Sequence, residues 1–180
     1  MHDQTPPNIR DKPVYYLDLN ATAPSLATHT NDLLSSNPNK NIVYVDGGII
    51  GGPPRKVNST GWATPSLVVS GPTQLPYPDL ARTLNIEHVS PRIGAASGVK
   101  LCFASTTKGF FALAIQSYVT AQSMGVFPEL RKYMGKHNPQ TLEIADRGVV
   151  GMPPKAYRWV NEMQQIGEMV EREGGFEKGL

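Results

Sequence analysis

Three stretches of the chain combine small or backbone-exposing residues with polar groups suited to handling small molecules. In Tyr16-Leu17-Asp18-Leu19-Asn20-Ala21-Thr22-Ala23-Pro24 a β-type run stops at small polar residues. Such an ending puts Asn20 and Thr22 at the carboxyl edge of a sheet, where open α/β sheets bind ligands. Asn and Thr after a strand are also ordinary helix caps. In Asp46-Gly47-Gly48-Ile49-Ile50-Gly51-Gly52-Pro53-Pro54 the glycines bare backbone amides that can approach a substrate oxygen. The same glycines would also make a tight turn after a strand. Gly94-Ala95-Ala96-Ser97-Gly98-Val99-Lys100-Leu101-Cys102-Phe103-Ala104-Ser105-Thr106-Thr107-Lys108-Gly109 sets Lys100 behind a run of small residues. A helix lysine is ordinarily solvated surface, and it handles protons at working pH only where burial lowers its pKa.

Other chemistries find no support. The glycine run after Asp46 lacks the Gly-Lys-Ser/Thr of a phosphate-binding P-loop. Gly94 to Gly98 spells Gly-x-x-x-Gly, with no acidic residue at the end of a following strand, so it is not a dinucleotide fingerprint. His2, His29, His88 and His137 share no metal-ligand spacing, and no metal ligands are assigned. Ser70 and Ser97 lack a nucleophile-elbow context. Trp62, Trp159 and Tyr157 read as packing residues, and Cys102 as a buried core thiol.

The elements that must position these residues change character along the chain. The first half is punctuated by Gly and Pro and carries four short β-type runs, at residues 14–19, 42–45, 67–69 and 86–89. Residues 24–36 and 77–84 read as helices between them, so the alternation predicts an α/β sheet. Residues 95–124 contain no proline and predict one long helix of roughly 45 Å at ~1.5 Å per residue. Its apolar residues Leu101, Ala104, Phe111, Leu113, Ile115 and Val119 surround most of the circumference, which predicts burial within a domain or between subunits. Further helices are predicted at 128–136, after Pro139, and at 154–172, stopped by Gly174-Gly175.

Bulk properties narrow the setting. Of 180 residues, 39% are hydrophobic and 18% charged, so a packed core is expected. A net charge of +2 without any Lys/Arg block gives nucleic acid no footprint. Cys102 is the single cysteine, which rules out an intrachain disulfide. No apolar run approaches the ~20 residues of a membrane span, and residues 1–12 lack the apolar core of a signal peptide. Lys178-Gly179-Leu180 is not a peroxisomal signal. A soluble cytoplasmic protein with no nucleic-acid or membrane partner is expected.

Taken together, in this order and spacing, the three stretches resemble the 6-phosphogluconate and β-hydroxyacid dehydrogenase superfamily. The resemblance is closest to the subgroup with the putative phosphogluconate dehydrogenase NAD-binding, C-terminal domain, and spans roughly residues 14–172. It implies an incomplete Rossmann-like NAD(P)-binding portion at 1–91 and an all-helical portion at 92–180 built on the long helix. Lys100 matches the family's catalytic acid/base. Gly48, Ile50, Gly51 and Gly52 match its substrate-binding segment, joined by Thr107 and Lys108, while Asn20 and Thr22 match residues beside the nicotinamide ribose. Two departures stand out: the hydroxyacid enzymes carry Ser at the position of Ile50 and Asn at that of Ala104. Val99 and Leu101 are expected to face packed neighbours and Lys100 a concave pocket.

The resemblance further implies NADP or NAD as cofactor, a small-molecule substrate and a homodimer through the long helix. No Gly-x-Gly-x-x-Gly strand–helix unit precedes Val14, so the chain is expected to be an N-terminally truncated member that by itself binds dinucleotide weakly or not at all. Two functions follow as expectations. One is an NAD(P)-dependent oxidoreductase with a lysine acid/base. The other is a non-catalytic remnant that binds a small molecule or pairs with a full-length paralogue.

Overall fold

The computed structural model describes residues 12–36, 41–59 and 61–176. The expectations for residues 1–11, His2 among them, and for Lys178-Gly179-Leu180 lie outside the described residues. Element order is β1 (Val14–Asp18), α1 (Pro24–Ser35), β2 (Ile42–Ile50), β3 (Arg55–Lys56), β4 (Trp62–Ala63), β5 (Ser66–Ser70), α2 (Pro78–Thr83) and β6 (Ile86–Ser90). The helical half follows as α3 (Ala95–Ala104), a π-helical turn (Ser105–Gly109), α4 (Phe110–Ser123), α5 (Phe127–His137), α6 (Pro139–Gly151), a 3-10 turn (Ala156–Trp159) and α7 (Val160–Gly174). The chain divides into two compact units: one reaches up to Leu101 and takes in Glu168 onward, the other is Cys102–Gly167.

In the first unit, four strands form a mixed sheet in the order β1-β2-β5-β6. The β1–β2 and β5–β6 pairs are parallel, and β2–β5 is antiparallel. Central β2 is buried continuously from Tyr44 to Gly48, whereas edge strand β6 alternates half-buried and exposed residues. That difference follows from covering both faces of a central strand. β2 runs five residues beyond the expected Val45, so Asp46 to Ile50 are strand and only Gly51-Gly52 turn. The cause is β5: Gly47, Gly48, Ile49 and Ile50 pair with Val69, Val68, Leu67 and Ser66, a ladder that outweighs glycine's poor strand propensity. The same register places Asp18, Asp46 and Ser70 in one row across the sheet.

The second unit is helical. α4, α5 and α6 join through Asp146, which accepts from the Arg131 guanidinium (2.6 and 2.8 Å) and from Tyr118 Oη (3.0 Å). Phe111 stacks on Trp159 at 6.4 Å between ring centroids and lies so close to Gly148 that its ring leaves no room for a Cβ there. The expected helix at 154–172 is replaced at its start by a turn at 153–155 and the 3-10 turn Ala156–Trp159, so that α7 begins at Val160. Residues Ala95–Ser123 run as one helix of 29 residues whose most apolar window has a mean hydropathy of 1.2. By length and composition this helix could cross a membrane, a difference from the expectation that no run would. Core helices of soluble proteins meet the same criterion, so it is weak evidence.

Candidate functional site

The site begins with a buried carboxylate. Asp46 is 1% exposed, opposite Ser70 in the β2–β5 ladder. Its Oδ2 accepts from Ser70 Oγ (2.7 Å), Gly94 N (3.0 Å) and Ser97 N (3.1 Å), and its Oδ1 accepts from Ser97 Oγ. Ser70 Oγ in turn accepts from Ala96 N at 3.0 Å. The unpaired amides that open α3 are thus satisfied from the sheet, and the negative charge sits where the helix dipole favours it.

One turn along α3 stands Lys100. A Cβ built on Gly48 would lie 2.7 Å from Lys100 Cβ and 3.1 Å from its Cγ. The lysine stem therefore crosses β2 in the space that a side chain at residue 48 would fill. Burial pushes the Lys100 ammonium below the ordinary lysine pKa, because a desolvated charge is disfavoured. On the other side of the strand a Cβ at Gly47 would meet Leu19 Cδ2 at 2.7 Å. Gly94, with φ +88°, lies against Pro24, whose carbonyl oxygen would be 3.0 Å from an added Cβ. The three stretches singled out in the sequence therefore converge: Leu19 on Gly47, Pro24 on Gly94, and Lys100 on Gly48. The small residues at the start of α3 make room for Pro24.

The loop after β1 is tied to the same sheet. Asn20 donates from its backbone N (3.1 Å) and its Nδ2 (2.6 Å) to Asp18 Oδ1, while Tyr44 Oη donates to Asp18 Oδ2 at 3.2 Å. Burial, reinforced by the Asp18 and Asp46 charges, pushes the Tyr44 phenol far above its ordinary pKa and keeps it a neutral donor. Thr22 donates its N–H to Asn20 O at 3.1 Å. Ile50 ends β2 opposite Ser66, half-buried, and Gly51 (φ +107°) and Gly52 form an exposed turn.

Thr107 and Lys108 belong to the π-helical turn of the second unit. Thr107 Oγ1 donates to Ala104 O at 3.0 Å, and Ser105 and Thr106 donate to the carbonyls of Cys102 and Phe103. Hydroxyls bonded back onto their own helix compete with its ladder, and the ladder here widens over a single π turn, the form in which π-helix mostly occurs within α-helices. Lys108 pairs with Glu162, both side chains 14% exposed, and lies 5.1 Å over the Trp159 ring.

Two expectations on this helix are corrected. Val99 is 43% exposed and Cys102 is exposed, so neither is a core residue. The buried stripe of α3 is Ala96, Ser97, Leu101 and Ala104, which turns Val99, Cys102 and Phe103 outward. Sequence reasoning misses the Asp46–Ser70–Ser97 cluster, because it considers the two serines only as nucleophiles. Its one sequence signal is an acid closing the apolar run Ile42-Val43-Tyr44-Val45, a place where a carboxylate needs several donors. Among the described residues no group of three His, Cys, Asp or Glu could hold a metal ion.

A conserved hypothetical protein from Sinorhizobium meliloti 1021 matches with a TM-score of 0.67 and 21% identity over 89% of this chain and 52% of its own. A conserved protein of unknown function, whose structure reveals similarity with 3-hydroxyacid dehydrogenases, matches at 0.62 and 23% over 87% and 58%. Over the part that it spans, the chain is similar in fold to the hydroxyacid dehydrogenases. An imine reductase from Myxococcus stipitatus, solved in complex with NADP+, matches with a TM-score of 0.51 and 17% identity over 81% of this chain and 51% of its own. The chain thus spans between half and three-fifths of the length of these structures. Residues 121–180 match a family model described as a domain of unknown function, DUF1932. No curated protein matches the chain.

Proposed function

We propose that the chain supplies the substrate side and the proton-transfer group of a nicotinamide-dependent oxidoreductase acting on a carbon–oxygen or carbon–nitrogen bond of a small molecule. The observation that carries this reading is Lys100, partly desolvated and laid across the bare backbone of Gly48. In the reductive direction its ammonium gives a proton to the substrate heteroatom as the carbon gains hydride; in oxidation the neutral amine takes that proton back. Within the first unit, Gly48, Ile50, Gly51 and Gly52 offer their backbone edge to the substrate; Thr107 and Lys108, in the second unit, keep a substrate role by family resemblance alone.

The dinucleotide, when bound, supplies or accepts the hydride. Asn20 and Thr22, on the loop that follows β1, suit the nicotinamide end. The pyrophosphate fits neither neighbouring helix start. The start of α3 already holds the Asp46 carboxylate, and α1 opens on Pro24, which has no N–H. Neither helix is given that role.

The test joins this chain to the part of the Myxococcus stipitatus imine reductase that it does not span, and follows NADPH oxidation with a panel of small ketones and cyclic imines. Turnover is expected to fall by ~10²-fold or more in Lys100→Met, the usual scale for a lost general acid, with the KM for NADPH nearly unchanged. Lys108→Met is the companion variant. Activity that survives Lys100→Met and is abolished by Lys108→Met would assign the proton to Lys108, and activity in both would remove lysine acid/base chemistry from the account.

A further inference from the structure

We infer that Asp46, Ser70 and Ser97 are positioning residues for Lys100: they clamp the first turn of α3 onto the β2–β5 ladder and so hold the lysine stem over Gly48. This inference rests on the reading of Lys100 given above and names what sets its place. The cluster is fully buried, with Ser70 at 0% and Asp46 and Ser97 at 1% exposure. Asp46 takes four donors and Ser70 adds a fifth bond to the same helix start. Three elements far apart along the chain are joined by it: β2 through Asp46, β5 through Ser70, and α3 with the residue before it through Gly94, Ala96 and Ser97. From Ser97 to Lys100 is three residues, under one turn at ~3.6 residues per turn, so a rotation of the first turn carries the lysine with it.

A purely structural cap would not require this geometry. Any Ser, Thr, Asp or Asn at the residue before α3 would satisfy one of its amides locally. Here the cap comes instead from a residue 48 positions earlier, in the strand whose Gly48 lies beneath Lys100. Between Asp46 and Gly48 the strand supplies a single residue, so the anchor and the bare backbone it serves are two steps apart on one rigid element. The arrangement also fills the α3 N-terminus with the chain's own carboxylate, which excludes an anionic ligand from that end by like-charge repulsion.

The test reads Lys100 itself and needs no turnover. Acylation of Lys100 in the full chain is followed by mass spectrometry as a function of pH, in the wild type and in Ser97→Ala, Ser70→Ala, Asp46→Asn and Val69→Ala, with thermal unfolding of each. Ser97→Ala leaves Asp46 three donors and is the mildest change. Val69→Ala weakens the same buried strand without touching the cluster. The wild-type midpoint is expected below the ordinary lysine range. Ser97→Ala and Ser70→Ala should raise it by about half a pH unit or more, as water reaches the ammonium. Val69→Ala should lower the unfolding temperature and leave the midpoint in place, the separation that a merely structural role would not produce. Should Asp46→Asn fail to fold, the two serine variants decide. A lowered wild-type midpoint that neither serine variant moves overturns the positioning inference alone, as does an equal shift in Val69→Ala. A wild-type midpoint in the ordinary lysine range overturns this inference together with the acid/base reading.

Discussion

A methyl group on Gly48 would press on Lys100 Cβ, which is fixed to the backbone of α3 and cannot swing aside. Gly48→Ala is therefore expected to force α3 off β2 at a cost of about 1–3 kcal/mol, the scale of overpacking in a dense site. Gly52, with nothing within 4 Å of an added Cβ, should accept alanine within ~0.5 kcal/mol. Urea unfolding of the two variants checks the contrast, and equal losses would mean that the Gly48–Lys100 contact does not bear load. At this scale the sequence was partly legible. Lys100 and Gly48 stood out through the family resemblance of three segments in register, since a helix lysine and a glycine turn after a strand are each ordinary alone. Asp46 as the cap of a helix 48 residues away was not legible, because that contact exists only once β2 and β5 have paired.

Helix starts were easier to read, since α1, α2, α5 and α6 each carry Pro in their first turn, where the missing N–H costs nothing. Strand ends were harder. β2 crosses two glycines that propensity alone would call a turn, and the antiparallel β2–β5 pairing within a sheet of otherwise parallel pairs has no local signal. The π turn was equally hidden. In the second unit three helices meet at Asp146. The hydrogen bond from Arg131, followed by that from Tyr118, holds its carboxyl below the usual carboxylate range despite the opposing effect of burial. A depressed carboxylate pKa contributes stability above the unfolded-state value and loses it as pH falls through the folded-state value. Asp146→Asn should therefore lower the unfolding temperature at pH 7, and the gap from wild type should close as the pH falls below the usual carboxylate range. A gap that stays constant down to that acidity would show that the charge on Asp146 is not what joins the helices.

Across the whole molecule, the long helix was expected to have apolar bulk on most sides, and in the single chain much of it is uncovered: Val99, Phe103, Leu113, Val119 and Met124 are all exposed, Leu113 by 65%. Uncovered apolar surface of this kind marks an association site, and we propose a homodimer formed through this helix. Analytical ultracentrifugation at micromolar concentration should give a dimer mass that Leu113→Lys or Val119→Lys returns to the monomer; a monomeric wild type would set the dimer aside. The central claim concerns the proton. In the joined protein described above, the pH dependence of kcat/KM for NADPH-driven reduction tests it most directly. Because burial lowers the Lys100 pKa and reduction needs the protonated amine, activity should fall as pH rises through that lowered pKa. Lys100→Arg, which stays protonated throughout, should retain a slower reaction with this alkaline limb removed. An alkaline limb that persists unchanged in Lys100→Arg would contradict the account, since the titrating group would then not be Lys100.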